Sequence, residues 1–201
     1  MNNSITKENI INTALELMRH SNNPKEISMR VVAHSLGCAH TNLYNYISSY
    51  SMLLWEAHTA LQEIFMETLR NRLISCHDAG KEQIVMFETF IRFYLENIGW
   101  YRILWVEYLG VSRPESNRVA VERARAELDG YAFALKFHTE QHKYPNGKKE
   151  IRDAIHGAHC YIIGEVSNFI SGRGLTDDIN IFIHDTAVRA SDIFEFLSER
   201  E

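Results

Sequence analysis

Apolar residues recur every three or four positions along almost the whole chain, and nowhere do they alternate with polar ones as a half-buried strand requires. The pattern predicts an all-helical protein. Over residues 6–20, Ile10, Ile11, Ala14, Leu15, Leu17 and Met18 keep helical spacing, Thr6 and Asn9 stand where a cap belongs, and Ser21-Asn22-Asn23-Pro24 ends the helix. Residues 28–36 read as a second, short helix with Ser28 as its cap and Met29, Val32, Ala33 and Leu36 on one face. Gly37 then suits a tight left-handed turn, Cys38 is a small apolar plug, and a third helix over about 39–46 turns Leu43 and the following Ile47 inward. A fourth begins at 49–51 and runs to about 72, with Leu54, Ala57, Leu61, Ile64, Phe65 and Leu69 in one stripe, before Cys76-His77-Asp78-Ala79-Gly80. Further helices are expected over 81–97, 100–109, 115–142, 148–171 and 177–198. The breaks between them fall at 110–114, at Tyr144-Pro145-Asn146-Gly147 and at Gly172-Arg173-Gly174.

Two short helices, a glycine turn and the start of a third helix within residues 28–54 make a helix-turn-helix signature. The outer face of its second helix carries His40, Thr41, Asn42, Tyr44, Asn45 and Tyr46, and is polar, aromatic and almost uncharged. Asparagine bonds adenine in bidentate fashion, so Asn42 and Asn45 suit base reading. His40 and Thr41 can reach base edges, and Tyr44 and Tyr46 can bond phosphates or touch a thymine methyl.

The run LGCAHTNLYNYISSYSMLL resembles the core of the TetR/AcrR family of bacterial transcriptional regulators at Leu36-Gly37, Leu43-Tyr44, Ile47 and Leu53-Leu54, and TKENIINTALELM looks like that family's first helix. The resemblance implies a DNA-binding head over residues 4–63, with its helix-turn-helix at 28–47, and a ligand-binding and dimerisation domain over 64–201. Carried over by position, His40, Thr41, Asn42, Tyr44, Asn45 and Tyr46 match the family's DNA-contacting set. Ser28 and Arg30 would hold the DNA backbone, and Tyr50 stands where many members carry a phosphate-gripping lysine. Farther on, FYLENIGWYRIL and the Ile155-His156-Gly157 triplet resemble a WHG-type C-terminal domain, although the tryptophan of that motif is replaced near Asp153 and Ala154. In this architecture the fourth helix is the lever between head and body. An aromatic set in the body, Phe90, Phe93, Tyr94, Trp100, Tyr101, Trp105, Tyr108, Phe133 and Phe137, would line a site for a small apolar or aromatic effector, or else be solid core.

Composition narrows the partners. With 201 residues, 45% hydrophobic and 23% charged, the chain reads as an ordinary soluble protein. It has no apolar run long enough to span a membrane and no leader-like N-terminus, which predicts a cytoplasmic location. The formal net charge of -5 is unsuited to coating nucleic acid indiscriminately. Residues 1–54, however, hold four basic side chains (Lys7, Arg19, Lys25, Arg30) against three acidic ones (Glu8, Glu16, Glu26), hence +1, which leaves -6 for the rest. So faint a positive charge places the burden of specificity on base contacts and dimerisation.

Three cysteines, Cys38, Cys76 and Cys160, are odd in number and far apart, which predicts reduced thiols. His138 and His142 stand four residues apart, and His156, His159 and Cys160 form a second group. A metal- or redox-responsive sensor is therefore an alternative reading, as is a constitutive regulator without a ligand. No metal or other cofactor is assigned. No nucleophile, phosphate-loop or dinucleotide motif is present, so no enzyme is expected. The last two helices carry more apolar positions than one stripe needs, with small residues Gly157, Ala158 and Gly164 between them. The resemblance implies a two-fold interface here, which Ile155, Ala158, Tyr161, Ile162, Phe182, Val188 and Phe194 are expected to form, spacing two recognition helices for a palindromic operator.

Overall fold

Thr6 opens the first helix as its position predicts. Its Oγ1 accepts the Asn9 amide at 3.1 Å, and α1 runs over Lys7–Met18 with Ile10, Ala14, Leu15 and Met18 buried. The computed structural model describes residues 5–76, 80–110, 112–137 and 149–199. A single 3-10 turn, Pro24–Glu26, leads to α2 (Met29–Ser35), where Ser28 Oγ accepts from Val31 at 3.5 Å. Gly37 takes a φ of 68°, the left-handed conformation that a side chain would resist, and redirects the chain into α3 (His40–Leu43). The remaining helices are α4 (Tyr50–Ile74), α5 (Glu82–Glu96), α6 (Ile98–Tyr101), α7 (Glu115–Phe137), α8 (Lys149–Ile170) and α9 (Ile179–Ser198). Among the described residues there is no strand, so the chain is all-helical as its periodicity predicts. None of these helices is long and apolar enough to cross a membrane.

Two expectations change in detail. The third helix is shorter than 39–46: after Leu43 the chain tightens, with Tyr44 bonding back to Thr41, Asn45 to Asn42 and Tyr46 to Leu43. These are three-residue turns, which continue the winding of a helix at a narrower radius. The expected 100–109 helix starts earlier as α6 and widens into one π-helical turn, Arg102–Val106, before Glu107 becomes extended. The His138/His142 pair, the 144–147 turn, Val111 and residues 77–79 lie outside the described residues.

The chain forms two compact units whose boundary differs from a split at 63/64. One comprises Met1–Ile64 and Glu96–Val121, the other Phe65–Leu95 and Glu122–Glu201. The head thus acquires a second stretch of chain. Its core joins α1, α2 and α3 with Leu53, Leu54, Ala57 and Leu61 of α4, and with Trp100, Tyr101, Ile103 and Leu104. In the second unit α8 packs along α9, burying Ile151, Ala154, Ile155, Ala158, Ile162 and Val166 against Phe182, Ile183, Ala187, Ala190 and Phe194. Each large side chain so buried contributes about 2 kcal/mol of transfer free energy, which is what holds a helix pair of this kind together.

Candidate nucleic-acid interface

Leu43 and Ile47, both under 4% exposed, anchor residues 40–46 from below. Because they point inward, their neighbours must point out. Thr41, Asn42, Tyr44, Asn45 and Tyr46 are exposed and His40 is half-buried, with the His40 and Tyr44 rings edge to face at 6.4 Å. No hydrogen bond within the described residues engages the side chains of Asn42 or Asn45. The face expected to meet DNA is therefore presented as a set of uncommitted amide, hydroxyl and phenol groups.

The residues expected to meet the DNA backbone are less uniform. Ser28 uses its hydroxyl to cap α2. Tyr50 is half-buried and donates its hydroxyl to the Lys25 carbonyl at 3.0 Å; burial, and then the negative charge of Glu107, push its pKa up to about 12. Of the four cations in residues 1–54, Lys7 pairs with Glu56 at 2.6 Å, and Arg19 bonds Asn97 at 2.5 Å and lies 5.0 Å over the Trp100 ring. Lys25 stands 3.9 Å from Glu107, a carboxylate that Arg102 already holds at 2.6 Å. Arg30 is exposed and has no partner among the described residues.

A second stretch of chain, 96–121, braces this platform, which the helical spacing of residues 6–54 does not signal. The Trp100 indole donates to the Leu15 carbonyl at 2.8 Å and the Gly99 amide to the Arg19 carbonyl at 2.9 Å, so α6 satisfies carbonyls that the end of α1 leaves open. Ser51 Oγ bonds the Leu109 carbonyl. Asn117, 1% exposed, donates through Nδ2 to His58 Nδ1 at 3.0 Å and Thr59 Oγ1 at 2.8 Å, and accepts from Arg113 Nε at 2.6 Å. Burial, and secondarily the Arg113 cation, lower the His58 pKa to about 4, although a bond to the Leu104 carbonyl works the other way. His58 is a neutral member of a closed polar network.

The expected effector residues fall into both units. Trp100, Tyr101, Trp105 and Tyr108 belong to the first. There Trp100 and Tyr101 are core that supports α1, Trp105 is 38% exposed and Tyr108 is 78% exposed, too open to line an enclosed site. Phe90, Phe93, Tyr94 and Phe133 are buried in the second unit, and Phe137 is partly open, its ring 4.6 Å from that of Phe133. Phe65, Phe87, Phe194 and His159 join the buried group, with Phe65 5.0 Å from Phe90 and 5.2 Å from Phe93. At its centre Tyr94 Oη and His159 Nε2 share a hydrogen bond of 2.6 Å. Burial, with help from His156 and Arg125, lowers the His159 pKa to about 3. The sequence marks His159 as a metal candidate, and only the fold reveals its partner.

That hydrogen bond also splits the proposed sensor group. His159 faces the core, whereas His156 and Cys160 are exposed on the other side of α8, with Sγ 3.6 Å from His156 Nε2. No group of three or more potential metal ligands occurs among the described residues. The expected two-fold interface needs a similar correction. Ile155, Ala158, Ile162, Phe182 and Phe194 are at most 3% exposed within the single chain, because α8 and α9 bury these faces against the unit's own core. Tyr161 and Val188 are half-buried, and Tyr161 accepts a hydrogen bond from Arg189 at 3.4 Å. The apolar residues that α9 leaves outside are Ile179, Ile181 and Phe196.

No protein-family model and no curated protein matches this chain. Among solved structures it is similar to one described as fatty acid degradation regulator FadR from Bacillus halodurans, with a TM-score of 0.60 and 11% sequence identity over 99% of this chain and 97% of that one. At that identity the likeness carries the fold: nearly the whole chain follows the helical path of a regulator whose sequence it scarcely shares.

Proposed function

We propose that the chain is a DNA-binding transcriptional regulator of the TetR/AcrR type, acting as a homodimer on a palindromic operator and most simply as a repressor. The observation that carries this reading is the recognition face, where five exposed polar and aromatic side chains share one surface and Leu43 and Ile47 hold them from beneath. The sequence resemblance in residues 36–54 and the fold shared with a fatty acid degradation regulator support it.

A small apolar or aromatic effector would bind in the second unit among Phe90, Phe93 and Tyr94, with Tyr94 and His159 as polar contacts. Such a ligand releases DNA only if it binds the released state more tightly, since coupling between sites needs differential affinity. The dimer would use the apolar residues that α9 leaves exposed rather than the buried set.

The test is recovery and sequencing of fragmented genomic DNA bound by the purified protein, with Tyr44→Ala as control. Tyr44 is 48% exposed, so its loss should leave the fold intact. An inverted repeat enriched by the wild type alone is the expected result. Equal enrichment by both proteins would remove Tyr44 from the interface, and none with either would count against DNA binding.

A further inference from the structure

We infer that the half-site read by this protein is A·T-rich, with adenines opposite Asn42 and Asn45, an inference that rests on the DNA-binding reading above. The reason lies in which base-reading side chains the interface has and which it lacks. Guanine is read chiefly by arginine or lysine, and cytosine by aspartate or glutamate. Between Arg30 and Arg70 there is no lysine or arginine, and between Glu26 and Glu56 no aspartate or glutamate. The turn, α3 and the approach to α4 therefore contain neither a guanine reader nor a cytosine reader of these kinds.

The chain offers two amides instead, and its geometry aligns them. The Asn45 amide N–H bonds the Asn42 carbonyl at 3.3 Å, a three-residue turn that sets positions i and i+3 over one another. The same closure joins the Tyr44 amide to the Thr41 carbonyl at 3.3 Å. Both asparagines are exposed and neither side chain is engaged within the described residues, so each can give its donor and acceptor to the N7 and N6 edge of an adenine. Side chains three apart on a helical surface stand about 5–6 Å from one another. Against a base-pair rise of about 3.4 Å, that spans neighbouring or next-neighbouring pairs. Thr41 and Tyr44, exposed on the adjoining stripe, are available to thymine methyl groups.

The experiment is selection of binding sites by the full chain from a random duplex library, followed by titration of the selected duplex with 7-deazaadenine at each invariant adenine. That base keeps Watson–Crick pairing and loses the N7 acceptor. A·T-rich half-sites are expected, with wild-type affinity falling about tenfold at two adenines. Asn42→Ala should become insensitive to one of these and Asn45→Ala to the other, both variants keeping wild-type helicity and melting. G·C-rich half-sites would overturn the inference while leaving DNA binding in place. A·T-rich sites indifferent to 7-deazaadenine would overturn the assignment to the asparagines, since groove shape would then be what is read. Absence of any selected sequence would overturn both readings.

Discussion

Gly99 is pressed so closely to the end of α1 that a β-carbon there would lie 1.7 Å from the Met18 carbonyl oxygen, while its amide bonds the Arg19 carbonyl at 2.9 Å. Only glycine allows this contact, because the obstacle is backbone rather than a side chain that can turn aside. Gly99→Ala should therefore displace α6 from α1, lower stability by about 2–3 kcal/mol and weaken operator binding. Trp100→Phe is the milder companion: a smaller aromatic ring stays, part of the buried indole and its bond to the Leu15 carbonyl go, and a cost of about 1–2 kcal/mol is expected. Urea denaturation measures both. An alanine variant as stable as wild type would mean that α1 does not depend on this seat.

Acid should destabilise the fold through two histidines. His58 and His159 are neutral when folded, with pKa values lowered to about 4 and about 3, whereas in the unfolded chain a histidine binds its proton near 6.5. The unfolded state thus takes up protons first as pH falls. Stability is complete above about pH 6.5 and is lost progressively below it, toward pH 4. Melting temperature measured from pH 7.5 to 4.5 should decline in that window, and His159→Phe should flatten part of the decline. A melting temperature constant down to pH 5 would contradict the buried, neutral state of both rings.

Operator affinity should depend only weakly on salt. Arg30 is the uncommitted cation of residues 5–54 and Lys25 is loosely held, so on the proposed reading each protomer would bring one or two cations to phosphate. For a dimer this predicts a slope of log affinity against log salt of about -2 to -4. Fluorescence anisotropy between 50 and 300 mM salt measures it. A slope near -8 would require phosphate contacts from cations beyond Arg30 and Lys25.

Substitutions on the two faces of α8 and α9 should separate folding from association. Ile162 has no exposed surface, so Ile162→Glu should unfold the second unit, losing helicity and not merely a partner. Ile181 is 52% exposed, and Ile181→Glu should stay folded while shifting the protein from dimer to monomer in sedimentation. A folded dimer with glutamate at Ile181 would place any association elsewhere.

Sequence by itself determined the helices and which side of residues 40–47 faces outward. Helical periodicity, the caps at Thr6 and Ser28 and the turn at Gly37 are local properties, written within a few residues of where they act. The outward set on α3 was legible for the same reason, since Leu43 and Ile47 declare by their chemistry which side is in. Tertiary structure alone decided what required two distant stretches to meet. No local pattern in 96–121 reveals that Gly99, Trp100 and Asn117 belong with the head, because their partners lie 58 to 85 positions away. Nor does periodicity distinguish an apolar stripe turned to its own chain from one turned to another, which is why Ile155, Ala158 and Ile162 read as an interface and proved to be core. Hydrophobicity specifies that a face is buried, and only the packed chain specifies against what.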